Sequence, residues 1–302
     1  MEKFLKKLKN KENLNFEESK AVFEILMGGK ATDEEILMTL MKTANRSEVT
    51  VSGHKVEIHK GGSGPALLWL HGGEGFGTYD PTTSPLAEKF TVYAPSHPGF
   101  FGTERPEWVY TINDVAHFTK DLVQELGLDD YVLVGHSIGG WIAAEMAAMD
   151  QHNLKGLVII DSAGVRPEKG EITEVFMVSD DARLKLGFHN MEQVPNFDAF
   201  TAERTPEEAA VIHGNKEMLS RLSWRPYLHN LSLPHFLGGV KTPTLVIWGK
   251  QDAIFPLECG EMYARLLSNA TLKTIDNCGH RPQMEKPDDF NAAITSFLAG
   301  LK

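Results

Sequence analysis

The sequence predicts an α/β fold: a mostly parallel central sheet covered on both faces by helices, topped by a helical cap and preceded by a small all-helical segment. Three observations predict it. From about residue 48, short continuous apolar runs alternate with helical stretches, the pattern of strands buried on both faces. Residues from about 166 to 236 break that alternation with an aromatic-rich stretch that holds no strand run. Residues 1–47 carry helical periodicity and helix stop signals only.

Taking the elements in order, Asn15 with Glu18 and Thr32 with Glu35 each set a capping side chain three residues before a carboxylate that reaches back to the cap. Gly28 and Gly29 end the helix between them, where a left-handed residue is least costly. Val22, Phe23, Ile25 and Leu26, then Leu37, Met38, Leu40 and Met41, give each helix an apolar face. Residues 49–51 and 55–58 read as an antiparallel pair at one edge of the sheet. The apolar runs at 66–72, 90–96, 131–137, 157–163, 244–250 and 271–277 follow as strands, with helices such as INDVAHFTKDLVQEL and GGWIAAEMAAMD between them. The insertion after the sixth strand carries Phe176, Met177, Phe188, Met191, Phe197, Phe200, Trp224 and Tyr227. Most of these should pack the cap onto the domain, and a few should face a cavity. The domain boundaries expected are 1–47 for the helical segment and 48–302 for the rest, with the cap at about 166–236.

Composition narrows the function. The 302 residues include 42% hydrophobic and 24% charged, the balance of a soluble globular chain. A net charge of −11 argues against nucleic acid as a partner, because phosphate binding needs clustered Lys and Arg. The basic start, with Lys3, Lys6, Lys7, Lys9 and Lys11, reads as a solvated helix face rather than a secretion signal, and no apolar run is long enough for a membrane span. A cytoplasmic location is expected. Cys259 and Cys278 make neither a disulfide framework nor a metal set, so reduced thiols are expected, with no cofactor and no metal.

The chemistry centres on Gly135-His136-Ser137-Ile138-Gly139, between the strand YVLV and a helix. A sharp strand-to-helix turn exposes the Ser137 hydroxyl at the carboxyl edge of the sheet, and glycines two positions either side let the backbones approach. Serine barely ionises at neutral pH and needs a base. His280 fits, because NCGHRPQMEKP follows the last strand and loops back toward the nucleophile. His136 should point away from Ser137 and pack. Asp252, in WGKQDAIFP after the strand TLVIW, is the first choice for the acid that orients His280; Asp161, ending LVIID, is the second. The oxyanion donors expected are the backbone N–H of Ile138, at a helix N-terminus, and of Gly73 in HGGEG. Glu74 sits beside them and should turn to solvent or cap a helix. In SHPGFFGTERP, Phe100 and Phe101 are available to line the pocket entrance, and His97 reads as structural.

HGGEG, HPGFFG, GHSIGG, WGKQD and CGHRPQMEKP occur in the order shown by the α/β-hydrolase superfamily, which residues 48–302 resemble over nearly their whole length. The resemblance implies the α/β-hydrolase fold and a Ser-Asp-His triad. Relatives that attack with an aspartate have it at the elbow, so serine there favours ester chemistry. A small or medium carboxylic ester is the expected substrate, with lactones and carbon–carbon bonds of ring-cleavage products as alternatives that use the same triad. A hydrolase-like small-molecule receptor is the alternative of another class. Separately, EESKAVFEILMGGKATDEEILMTLMKTANR, residues 17–46, resembles the small N-terminal domain of anthranilate phosphoribosyltransferase. That resemblance implies a homodimer through the N-terminal helices, while the missing phosphate-binding loop gives no support to phosphoribosyl transfer.

Overall fold

The computed structural model describes residues 46–75, 79–101, 103–195, 197 and 205–301. The helices of the N-terminal segment, the dimer they would form, and Phe200 lie outside these residues.

Eight strands form one sheet: β1 (Arg46–Val51), β2 (His54–Gly61), β3 (Ala66–Leu70), β4 (Thr91–Pro95), β5 (Tyr131–His136), β6 (Leu154–Ile160), β7 (Thr244–Gly249) and β8 (Ala270–Ile275), in the order β1-β2-β4-β3-β5-β6-β7-β8. β2 runs antiparallel to β4; every pairing from β4 through β8 is parallel. Ser52 and Gly53, at φ 49 and 84, form the two-residue turn between β1 and β2, where left-handed residues match the twist of a hairpin.

Alternation of side chains sorts the strands into two cores. Leu68, Leu70, Leu133, Leu157, Ile159, Val246 and Trp248 face one way and pack with α1 (Ile112–Glu125) and α2 (Ile138–Met149). Their neighbours Leu67, Trp69, Val132, Val134, Val158, Ile160, Leu245 and Ile247 face the other way, onto Phe290, Ile294 and Leu298. Burial on both faces is why these strands read as continuous apolar runs. Each large side chain removed from water adds roughly 1.5–3 kcal/mol. In α2, every residue from Ile138 to Ala147 is buried, and its one charged member, Glu145, accepts hydrogen bonds from Trp141 Nε1 and Asn230 Nδ2, so this helix is enclosed by its neighbours.

Between β6 and β7 lie α3 (Asp180–Leu186), α4 (Pro206–Ser223) and α5 (Leu233–Leu237), with no strand among the described residues. α4 begins with a capping box, Thr205 and Glu208 exchanging hydrogen bonds, and has Pro206 in its first turn. That signal stood in the sequence as TPEE and marks the helix start. After β7 come α6 (Leu257–Leu266), α7 (Pro282–Glu285) and α8 (Pro287–Ala299). Among the described residues no helix is long and apolar enough to cross a membrane.

Candidate active site

Ser137 occupies a backbone conformation that L-residues seldom adopt, with φ 56 and ψ −119, between the end of β5 and the start of α2. Such strain costs about 1–3 kcal/mol and persists only where surrounding contacts enforce it. Here they do: Ser137 N–H donates to Ile160 O at 2.9 Å, and Ser137 O accepts from Gly140, Trp141 and Ala163 N–H. The flanking glycines are required by space. A Cβ on Gly135 would lie 2.2 Å from Gly139 O, and one on Gly139 would lie 2.2 Å from Leu70 O.

His280 and Ser137 line the same pocket, although 143 positions are not what brings them together locally; the loop after β8 does. His280 Nδ1 donates to Asp252 Oδ2 at 2.9 Å, which leaves Nε2 as the basic nitrogen. The other Asp252 oxygen, Oδ1, accepts from Ile254 N–H at 2.7 Å and Phe255 N–H at 3.2 Å, so the carboxylate is fixed by its own loop. Asp161 is fully buried close by: one ligand atom from each of Asp161, Asp252 and His280 lies within 4.8 Å of the others. Its Oδ1 accepts Gly249 N–H at 2.9 Å, whereas Oδ2 has no hydrogen-bond partner. Burial, then the neighbouring Asp252, push the Asp161 carboxyl well above the usual carboxylate range. The structure thus pairs the imidazole with Asp252, and beside it burial and the Asp252 charge favour the protonated form of Asp161. These three residues are also the one group of metal-ligand proximity among the described residues, but a cation there would have to displace the proton that His280 shares with Asp252.

His136 holds the loop that carries His280: its Nε2 donates to His280 O at 2.8 Å. His71 and His97 brace the glycine loop. His97 N–H donates to His71 Nε2 at 3.1 Å, which puts the His71 proton on Nδ1, and that proton is donated to Gly72 O at 2.6 Å. His97 Nε2 in turn donates to His71 O at 2.9 Å, and the two rings lie 3.9 Å apart. Gly73 and Ile138, the expected oxyanion donors, both border the pocket.

These three imidazoles are held neutral. Burial lowers His71 well below its ordinary value, His97 to about 4 and, with the neighbouring His280 imidazole adding to the effect, His136 to about 3. An unfolded histidine takes up a proton below about pH 6.5, whereas these resist until far lower, so their contribution to stability is present above that pH and lost as pH falls. Asp161 titrates in the opposite sense, because its raised value favours the folded state as pH falls, and it offsets part of the loss. The net expectation is that the unfolding free energy in urea drops by about 2 kcal/mol or more between pH 7 and pH 5. A flat profile over that range would mean the histidines are not the controlling groups.

Glu74 departs from expectation. Rather than facing solvent or capping a helix, its carboxylate pairs with two buried arginines: Oε1 lies 3.2 Å from Arg183 Nε, and Oε2 contacts Arg281 Nη2. The sequence singled out neither arginine. Phe100 does not line the entrance but is fully buried against His71 and His97, while Phe101 covers Gly75. Most of the cap's aromatic residues pack against the domain or one another, as expected, and none of the described ones lines the pocket. Phe176, Trp224 and Tyr227 stack on one another, and Phe188 meets Phe197. Among the described residues the apolar lining contributed by the cap is Val175, Leu219 and Leu228. α4 is placed over the glycine loop by one helical face: Asn215 Oδ1 accepts Phe101 N–H at 3.0 Å, Met218 sits against Gly99, and Leu219 is so close to Gly73 that a Cβ there would be 2.6 Å away.

Residues 62–293 match a family model described as the alpha/beta hydrolase family. Among similar proteins are the 2-hydroxy-6-oxo-6-phenylhexa-2,4-dienoate hydrolase of Comamonas testosteroni, 28% identical over 85% of this chain and 96% of that protein, and the 2-hydroxy-6-oxo-6-(2'-aminophenyl)hexa-2,4-dienoic acid hydrolase of Metapseudomonas resinovorans, 26% identical over 83% and 90%. A crystal structure of a membrane phospholipase A, described as a bacterial virulence factor, aligns with a TM-score of 0.66 at 26% identity, covering 99% of each chain. The comparisons give no support to the likeness of residues 17–46 to the phosphoribosyltransferase. With a family match that spans the sheet from β3 to β8, the serine elbow and the histidine loop, the chain belongs to the alpha/beta hydrolase family.

Proposed function

We infer that this hydrolase cleaves small to medium carboxylic esters through an acyl-enzyme on Ser137. The observation that carries the inference is the Ser137 elbow opening into a pocket that is also lined by His280, whose Nδ1 is bonded to Asp252. In the reaction, Ser137 Oγ attacks the substrate carbonyl carbon while its proton passes to His280 Nε2. Asp252 stabilises the imidazolium that results. The negative charge that develops on the carbonyl oxygen accepts N–H bonds from Gly73 and Ile138, and the α2 N-terminus adds its dipole. Collapse of this intermediate breaks the ester C–O bond, and His280 returns the proton to the leaving alcohol. Water then repeats the sequence on the acyl-enzyme and releases the acid.

A second reading is favoured by the relatives described above, which are named as hydrolases of substituted hexadienoic acids. It is hydrolysis of a carbon–carbon bond adjacent to a ketone, with the same serine, base and oxyanion donors and a carbon leaving group. The test is a panel of p-nitrophenyl acetate and butyrate, lactones and a ring-cleavage dienoate, followed by intact mass measurement of the quenched enzyme. Ester hydrolysis predicts multiple turnovers with p-nitrophenyl esters and an acyl mass on the peptide carrying Ser137. Turnover confined to the dienoate favours the second reading. No turnover on any member returns the protein to the receptor class.

A further inference from the structure

The pocket wall beside the proposed oxyanion site holds two guanidinium groups, and ester hydrolysis as such uses neither. Arg183 comes from α3 of the cap, Arg281 from the residue after His280, and both line the pocket with Ser137. Their side chains are 9% and 8% exposed. Burial lowers Arg281 only to about 10, so it stays a cation at neutral pH, and its guanidinium also lies 4.9 Å from the centre of the Phe188 ring. Removing guanidinium groups from water is costly and is sustained by closely placed anions. The carboxylate that both arginines share is Glu74, whose side chain is 35% exposed and stands between Gly73 and Gly75 on the glycine loop. A second carboxylate, Asp180, lies 3.3 Å from Arg183 Nη2, contacts Lys216 and is 60% exposed.

We propose that the substrate carries a carboxylate near its scissile carbonyl, and that Arg183 and Arg281 bind this carboxylate in the place Glu74 occupies. This rests on the serine-hydrolase reading and adds a substrate class to it. The planar fork of each guanidinium matches a carboxylate in two hydrogen bonds, which a neutral acyl chain has no means to use. Glu74 is the member of the trio with access to water, so it leaves at the smallest cost in desolvation. In the empty pocket it neutralises the cations; in the loaded pocket the substrate does so, and Glu74 turns outward. The neighbourhood also fixes where the anion sits. Glu74 directly follows Gly73, so an anion replacing it lies beside the proposed oxyanion donor of the glycine loop.

The experiment compares p-nitrophenyl hydrogen glutarate with p-nitrophenyl hexanoate, which share a leaving group and differ chiefly in the terminal charge. Wild type is expected to favour the glutarate ester in kcat/KM by about tenfold or more, the scale of a hydrogen bond to a charged group. Arg183→Met should abolish that preference, chiefly through KM, and Arg183→Lys should restore part of it. Glu74→Gln should raise kcat/KM for the glutarate ester relative to the hexanoate ester. Equal losses on both esters in Arg183→Met would make the arginine a cap anchor and overturn the proposal, as would a wild type indifferent to the charge. If neither ester is hydrolysed in a Ser137-dependent way, the serine-hydrolase reading fails on its own. Calorimetric titration with free glutarate then decides the subsite, because binding weakened about tenfold or more by Arg183→Met supports it, and no binding, or equal binding by both proteins, overturns it.

Discussion

Replacement of Ser137 by alanine is expected to lower kcat on the preferred ester by a factor on the order of 10⁶, since loss of the nucleophile in a triad costs about as much as loss of the whole triad. Alanine keeps the Cβ and therefore the strained φ of 56, so the elbow and its hydrogen bonds to Ile160, Gly140 and Trp141 remain. The thermal midpoint should accordingly shift little. What survives is the oxyanion site and the pocket, a residue of catalysis of roughly 10³–10⁴ over water. The measurement is steady-state hydrolysis by wild type and variant at matched active-fold content, checked by circular dichroism. A folded Ser137→Ala enzyme that retained a few per cent of the wild-type rate would remove Ser137 from the mechanism.

Asp252→Asn is expected to cost about 10⁴ in kcat, the effect of presenting the base in the wrong tautomer. The Asn carbonyl oxygen is best matched to the N–H groups of Ile254 and Phe255, which bond Asp252 Oδ1 at 2.7 and 3.2 Å, so the amide NH₂ faces His280 Nδ1. The imidazole then keeps its proton on Nε2, where it cannot accept one from Ser137. Asp161→Asn should behave differently. Its carbonyl accepts Gly249 N–H as Asp161 Oδ1 does, and its NH₂ takes the position of an oxygen that already has no hydrogen-bond partner. Because the carboxyl is held neutral by burial and by Asp252, an uncharged amide replaces it with a cost in kcat of about tenfold or less. Sign and stability follow from the same shift. The unfolded chain ionises Asp161 from about pH 4 and the folded chain only at higher pH, so between the two wild type loses stability relative to Asp161→Asn as pH rises, by up to about 1.4 kcal/mol per pH unit. Rate–pH profiles and urea melts of both variants separate the two roles. Equal losses of rate would show that the two acids act as one unit.

Much of this was legible before the structure because it rests on short-range sterics. The glycines at 135 and 139 are demanded by backbone oxygens 2.2 Å from any added Cβ, and the strands are apolar throughout because both sheet faces are covered. The start of α4 is likewise marked locally, by Thr205, Pro206 and Glu208. Other features had no local signature. Phe100, next to the pocket in sequence, is packed inward by His71 and His97, which lie in the loops after β3 and β4. Charged residues such as Glu74, Arg183 and Arg281 look like solvated surface positions until the fold brings them together.

The sequence by itself therefore determined the α/β architecture, the elbow and the chain order of serine, acid and histidine, since each is written in spacing, apolar period and glycine placement over a few residues. The tertiary structure pairs His280 with Asp252, the acid the sequence placed first, and it alone decided which imidazoles stay neutral and that two arginines 98 positions apart share Glu74. Those outcomes depend on burial and on distances between segments remote in the chain. Electrostatic energy at a buried site is set by such distances and by the exclusion of water, which no local pattern of residues encodes.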